Sequence, residues 1–181
     1  MKISIYQEKG GSGKTTMAVT LAVSLGLPVL DLDRQGTATQ WLGRREVPHP
    51  IAKESDGTWI ADCPPGIDAS VGRLLAISNV VLVPVRCSFN DLVTLPKTLK
   101  FIGAHTAARV AFVGSDIDKR TNDEATLREA LAAHQLPILG MLYHRASYRR
   151  AGMTGGLASD IDKAAIDEID ALTSAVKEFI E

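Results

Sequence analysis

The run Lys9-Gly10-Gly11-Ser12-Gly13-Lys14-Thr15-Thr16 constrains this chain more than any other part of it. It follows a short apolar segment, Ile3–Tyr6. It opens a stretch, Lys14–Leu25, in which Ala18, Leu21, Ala22 and Leu25 recur at helical spacing. Strand, glycine-rich loop and helix in that order make an anion cradle. Glycines let the backbone close round a phosphate. The helix behind the loop aims free N–H groups and the positive end of its dipole at the same point. In such a loop Lys14 reaches β- and γ-phosphates, the Thr15 hydroxyl ligates Mg²⁺, and Thr16 sits at the α-phosphate. The strict pattern G-x-x-x-x-G-K-[ST] is not met, because Glu8 holds its first position. A second lysine, Lys9, stands five residues before Lys14.

The rest of the chain alternates apolar runs with helical patterns. Pro28–Leu32, Thr58–Ala61, Val80–Val85, Val110–Val113 and Ile138–Leu142 read as further strands. Helical patterns fall near Ala69–Ile77, Leu92–Ala104 and Glu124–Ala133. Pro96 makes the second of these either start near it or kink. The last helix, Asp160–Glu181, sets Ile161, Ala165, Ile169, Leu172, Val176 and Phe179 on one stripe. Such alternation predicts an α/β fold with a twisted, mostly parallel sheet covered by helices on both faces. At 181 residues, one domain over 1–181 is expected. The polar stretch Arg44–Gly57 reads as an ordered excursion.

Composition excludes several classes. Hydrophobic residues make up 45% and charged residues 23%, which rules out a mainly disordered chain. No apolar run approaches the roughly 20 residues that span a bilayer. The start does not have the pattern of a signal peptide. Cys63 and Cys87 stand alone, and His49, His105, His134 and His144 show no metal spacing. That argues against a zinc site and for a reduced, cytoplasmic setting. Net charge is -1, but it is unevenly spread. Residues 97–150 carry nine basic and five acidic side chains, and residues 151–181 carry two basic and seven acidic. A basic segment of this kind is either a solvated face or an anion-binding one.

The lysine at position 9 carries a resemblance. Lys9–Thr16 resembles the deviant Walker A motif of the ParA/MinD family of P-loop ATPases. Asp31-Leu32-Asp33-Arg34-Gln35-Gly36, followed by Trp41, resembles that family's second motif, with Arg34 where proline is usual. Trp59–Gly66 resembles its Walker B strand and turn, and Val81–Val85 the strand after it. Arg145-Ala146-Ser147-Tyr148 and the long last helix resemble its tail. The likeness covers nearly the whole chain and is strongest to small plasmid-type ParA (ParF-like) proteins. The expectation that follows is a chain without an N-terminal DNA-reading domain.

The resemblance implies ATP and Mg²⁺ as cofactors, with Gly10, Gly11, Ser12, Gly13, Lys14, Thr15 and Thr16 around the phosphates. It implies a homodimer that sandwiches two nucleotides, with Lys9 crossing to the partner's phosphates. Positive charge supplied in trans would work as an arginine finger does. Asp33 would orient the attacking water, and Asp62 would hold Mg²⁺ through water. Asp31, two residues before Asp33 on the same predicted strand, would share its face and reach the metal region. Taken alone, Asp31 and Asp33 would read as helix or turn caps, but the phosphate loop changes that reading. Val113–Lys119 lacks the Asn/Thr-Lys-x-Asp pattern of GTPases, and ATP is implied by the resemblance.

ParA-like proteins bind non-specific DNA, whereas MinD-like relatives bind membrane through a C-terminal amphipathic helix. The last helix here carries seven acidic residues against Lys163 and Lys177. Anionic lipid would repel it, so no membrane partner is expected. Lys119, Arg120, Arg145, Arg149 and Arg150 are the candidates for phosphate contact on DNA. The function implied is partition of plasmid or chromosomal DNA by a nucleoid-associated ATPase, stimulated by a centromere-binding adaptor protein (ParB/ParG-like). Positioning of a protein cargo by the same switch is the alternative. A small-molecule kinase or synthetase on this scaffold is a third reading, in which Lys9 would have no role.

Overall fold

In the computed structural model, which describes residues 1–181, every strand lies parallel to its neighbours. The strands are β1 (Lys2–Ile5), β2 (Val29–Asp31), β3 (Trp59–Asp62), β4 (Val80–Val85), β5 (Arg109–Ile117) and β6 (Ile138–Tyr143). They form one sheet in the order β2-β3-β1-β4-β5-β6. The helices are α1 (Lys14–Leu25), α2 (Thr37–Leu42), α3 (Ala69–Ala76), α4 (Phe89–His105), α5 (Asp123–Ala132), α6 (Ala146–Thr154) and α7 (Lys163–Ile180).

Strands buried on both faces must be apolar on both, and β4 shows it. Val80 and Leu82 point into a core layer with Met17, Leu21, Trp41, Ile169 and Leu172 from α1, α2 and α7. Val81, Val83 and Val85 point into the opposite layer with Leu74, Leu95, Phe101 and Leu127 from α3, α4 and α5. β1 therefore hands the chain to α1 on one face, while β3 and β4 hand it to α3 and α4 on the other. Where neighbouring strands diverge in this way, a crevice opens outside their C-terminal ends.

Four features differ from the sequence reading. The last helix does not begin at Asp160. A 3₁₀ turn at Ala158–Asp160 comes first, and the Asp162 carboxylate then caps α7 by accepting from the Ala164 N–H at 3.1 Å. Ile161 consequently lies outside the helix and is 59% exposed. β2 ends at Asp31, so Asp33 sits in the following turn and not on the strand. α2 and α6 were not expected. α4 runs unbroken through Pro96, which has no N–H to give the preceding turn. The excursion at 44–57 is ordered: its Pro50–Ala52 stretch exchanges backbone hydrogen bonds with Val29 and covers the outer edge of β2.

Candidate functional site

The phosphate loop leaves β1 beside its neighbours β3 and β4 and ends on α1. Gly11 (φ +75°) and Gly13 (φ +91°) hold left-handed conformations that side chains resist. A Cβ on Gly13 would also collide with Ser115 Oγ on β5. Gly13 caps α1 without a side-chain hydrogen bond, so the first-turn N–H groups stay free for an anion.

Lys14 folds into this loop and is only 6% exposed. Its Nζ donates to the Lys9 carbonyl at 2.9 Å and has no carboxylate partner within ion-pair distance. Burial holds its pKa below the ordinary lysine value, opposed by the nearby Asp62, Cys63, Asp33 and Asp91. A buried ammonium without a counter-ion fits a site made for phosphate.

Asp62, at the end of β3, is 1% exposed, and neither of its carboxylate oxygens closes a well-formed hydrogen bond. Burial pushes its pKa up to about 7. The Thr15 hydroxyl beside it and Lys14 oppose the shift, while Asp31 and Asp33 add to it. An orphaned carboxylate next to a hydroxyl, facing the phosphate loop, has the donor set of a water-mediated Mg²⁺ site. Thr15 and Asp62 would hold the metal. No group of three or more His, Cys, Asp or Glu side chains converges, so such an ion would rely on water and phosphate oxygens for its other ligands.

Asp31 is in register with Asp62 on the neighbouring strand. Its oxygens accept from the backbone N–H groups of Thr39 (2.8 Å) and Asp33 (3.2 Å), which ties β2 to α2. Asp33 accepts from the Gln35 N–H at 3.0 Å and turns the chain toward Gly36. Both therefore have capping work, alongside any role at the metal or water.

Lys9 lies at the entry of the loop and does not line the cleft described below. Its Nζ is paired with Asp91, on the first turn of α4, whose side chain is fully buried. Ser88 donates to the same Asp91 oxygen. Glu8, beside it, pairs with Lys97 of α4, and Gln7 accepts from Thr98. α4 thus grips the loop's entry at three successive residues, and Glu8 serves as one of its ties.

A cleft of about 660 Å³ runs from Gly11, Gly13 and Thr16 between two walls. Thr37, Gln40, Trp41 and Arg44 line one wall. Ser115, Asp116, His144, Tyr148 and Arg149 are on the other. Trp41 Nε1 donates to the Gly156 carbonyl at 2.9 Å and ties α2 to the segment after α6. A volume of about 660 Å³ leaves room for a nucleoside beside the phosphates. The wall residues come from three segments far apart in sequence, 37–44, 115–116 and 144–149; the sequence singled out Trp41, Tyr148 and Arg149 but not as parts of one cleft.

Of the five cations expected to face DNA, three are engaged elsewhere. Arg145 bonds Glu168 through Nε at 2.8 Å and sits 3.6 Å from Asp162. Lys119 lies 3.7 Å from Glu168 and over the Tyr143 ring. Arg120 makes a two-pronged pair with Asp118. Arg149 and Arg150, on α6, are exposed and have no carboxylate partner. Arg44 and Arg45 join them: their guanidinium groups donate to the Gly152 and Gly155 carbonyls at the end of α6.

Residues 3–158 match the CobQ/CobB/MinD/ParA nucleotide binding domain. The chain belongs to that family. It is 30% identical over 141 residues to Protein ParA of Rhizobium radiobacter, covering 65% of this chain and 60% of that protein's length. It is 27% identical over 154 residues to Maintenance of carboxysome distribution protein A of Gloeobacter kilaueensis, covering 70% of each. A variant of Cyanothece McdA in complex with ATP shares the fold. That structure has a TM-score of 0.81 at 16% identity, over 97% of this chain and 96% of that one. As a member of the ParA/MinD family, the chain is related to both partition and positioning proteins. No helix is long and apolar enough to cross a membrane.

Proposed function

We propose that this chain is a Mg²⁺-dependent ATPase that partitions DNA by switching between a free protomer and an ATP-bound homodimer on non-specific duplex. The observation that carries this reading is the pair of lysines on one phosphate loop. Lys14 is sealed inside, while Lys9 stands at the loop's edge, partly exposed and away from the cleft. A lysine placed there suits a phosphate held by a second copy, where positive charge offsets what builds up on the γ-oxygens. Bound ATP with Mg²⁺ supplies the phosphoryl group and part of that neutralisation. Gly10 to Thr16 orient the phosphates, Asp33 positions water, and Thr15 with Asp62 hold the metal.

Arg149 and Arg150, with Arg44 and Arg45, form the surface for the duplex. Dimerisation presents the patch twice, which converts weak single contacts into firm attachment. A centromere-binding adaptor would stimulate hydrolysis and release the dimer from the nucleoid. The second reading, positioning of a protein cargo by the same switch, is favoured by the likeness to Maintenance of carboxysome distribution protein A.

Co-sedimentation with non-specific duplex DNA, with ATP or ADP and across a salt series, separates the two. DNA partition predicts binding with ATP only. Each phosphate contact steepens the log–log salt slope by about 0.9, and Arg149→Ala/Arg150→Ala removes about two contacts per protomer. ATP-dependent dimers that ignore DNA at every salt concentration would overturn DNA partition and leave cargo positioning.

A further inference from the structure

Arg86 is the first residue after β4 and has no place in the site as described so far. Its Nη1 donates to the Gly11 carbonyl at 3.2 Å, and its Nη2 pairs with the Asp116 carboxylate. The other Asp116 oxygen is bonded to His144 Nδ1 at 2.7 Å. The three side chains cross the C-terminal ends of β4, β5 and β6, and all three line the nucleotide cleft.

Asp116 is placed for this contact at some conformational cost. It has φ +58°, one of two non-glycine residues in the left-handed region. It also sits where the β5–β6 register shifts between Ser115 and Ile117. An irregularity of this kind re-aims a side chain beside a site. The loop it serves needs support. A Cβ at Gly10 or Gly11 would meet nothing within 4 Å, so the outer turn is open at these two positions. The hydrogen bond from Arg86 is a side-chain tie that reaches the turn at Gly11, beyond the ties at Lys9.

We propose that Arg86 is a positioning residue for the phosphate loop, held in place by Asp116 and His144. In a trans peptide the carbonyl and the following N–H point in opposite directions. Tying the Gly11 carbonyl to Arg86 therefore also fixes the direction of the Ser12 N–H, which points the opposite way across the same peptide. A planar guanidinium that donates to a carboxylate and a carbonyl at once suits this work better than an ammonium. The inference rests on reading the loop as a nucleotide site.

The test measures binding of ADP and of adenosine to the full chain by fluorescence competition, with the melting temperature of nucleotide-free protein alongside. Arg86→Ala is expected to weaken ADP roughly ten-fold, the scale of one hydrogen bond to a charged group. Adenosine affinity and the melting temperature should stay as in wild type. Arg86→Lys should recover part of the loss. Asp116→Asn should reproduce it, and the double variant should be no worse than either single one. ADP binding unchanged in Arg86→Ala, or adenosine lost in equal measure, would overturn the positioning role alone. A wild-type chain that binds no ADP would overturn the nucleotide reading and this inference with it.

Discussion

Asp62 is the residue in which burial and charge conflict most openly. Burial pushes its carboxyl pKa up to about 7, against 3.8 for an ordinary aspartate. The folded chain thus binds a proton that the unfolded chain has already released across that interval. The contribution of Asp62 to stability therefore falls as pH rises from about 4 to about 7, at up to about 1.4 kcal/mol per pH unit. A cation reverses the balance, because it favours the ionised form. Thermal melting of the nucleotide-free chain should show the fall, and Asp62→Asn should flatten it. Mg²⁺ added to ADP should raise the melting temperature more at pH 8 than at pH 6 in wild type, and not in Asp62→Asn. The same pH profile in wild type and variant would contradict the assignment. The position of Asp62 was legible because it ends an apolar run. The capping roles of Asp31 and Asp33 were also foreseeable from residue type; setting Asp33 on one strand with Asp31 was the misreading, since the apolar run itself stops at Leu32. Lys9 was legible as an odd lysine. Its partner Asp91 lies 82 residues away, and no local pattern points to it.

The long apolar elements were visible because their periodicity is strong. α2 has six residues, and α6 buries only Ser147 and Ala151, so neither leaves a stripe to read. α6 shows what charge counting misses. Arg145, Arg149 and Arg150 look alike in sequence, yet the fold sends Arg145 inward to Glu168 of α7 and leaves the other two in solvent. Glu168 is 9% exposed and also accepts from the Tyr143 backbone N–H at 3.3 Å. Removing Arg145 leaves that buried carboxylate with the more distant Lys119, at 3.7 Å, as its only cation. Arg145→Ala should therefore cost about 3 kcal/mol in denaturant unfolding, whereas Arg149→Ala should stay near zero. Equal stability of the two variants would show that the Arg145–Glu168 pair does not hold α6 to α7.

Across the molecule, the strand order explains why chemistry gathers at one edge. β1 turns to one face and its neighbours β3 and β4 to the other, so the loop, Asp62 and the cleft walls meet at their shared C-terminal ends. That much followed from alternating strands and helices once the phosphate loop was placed. The two sides of the loop were not legible in the same way. Lys14 faces inward, whereas Lys9 is held at the edge by α4, and the proposal that Lys9 reaches a second copy rests on this asymmetry. The most direct test mixes two variants, Lys9→Ala and Asp33→Ala, and measures ATP hydrolysis. Each alone should be inactive. If Lys9 acts across a two-fold dimer, the mixed dimer holds one complete site, and an equal mixture should recover about a quarter of wild-type activity. If Lys9 acts within its own chain, no site is complete in any dimer, and a mixture as inactive as its components would contradict the account.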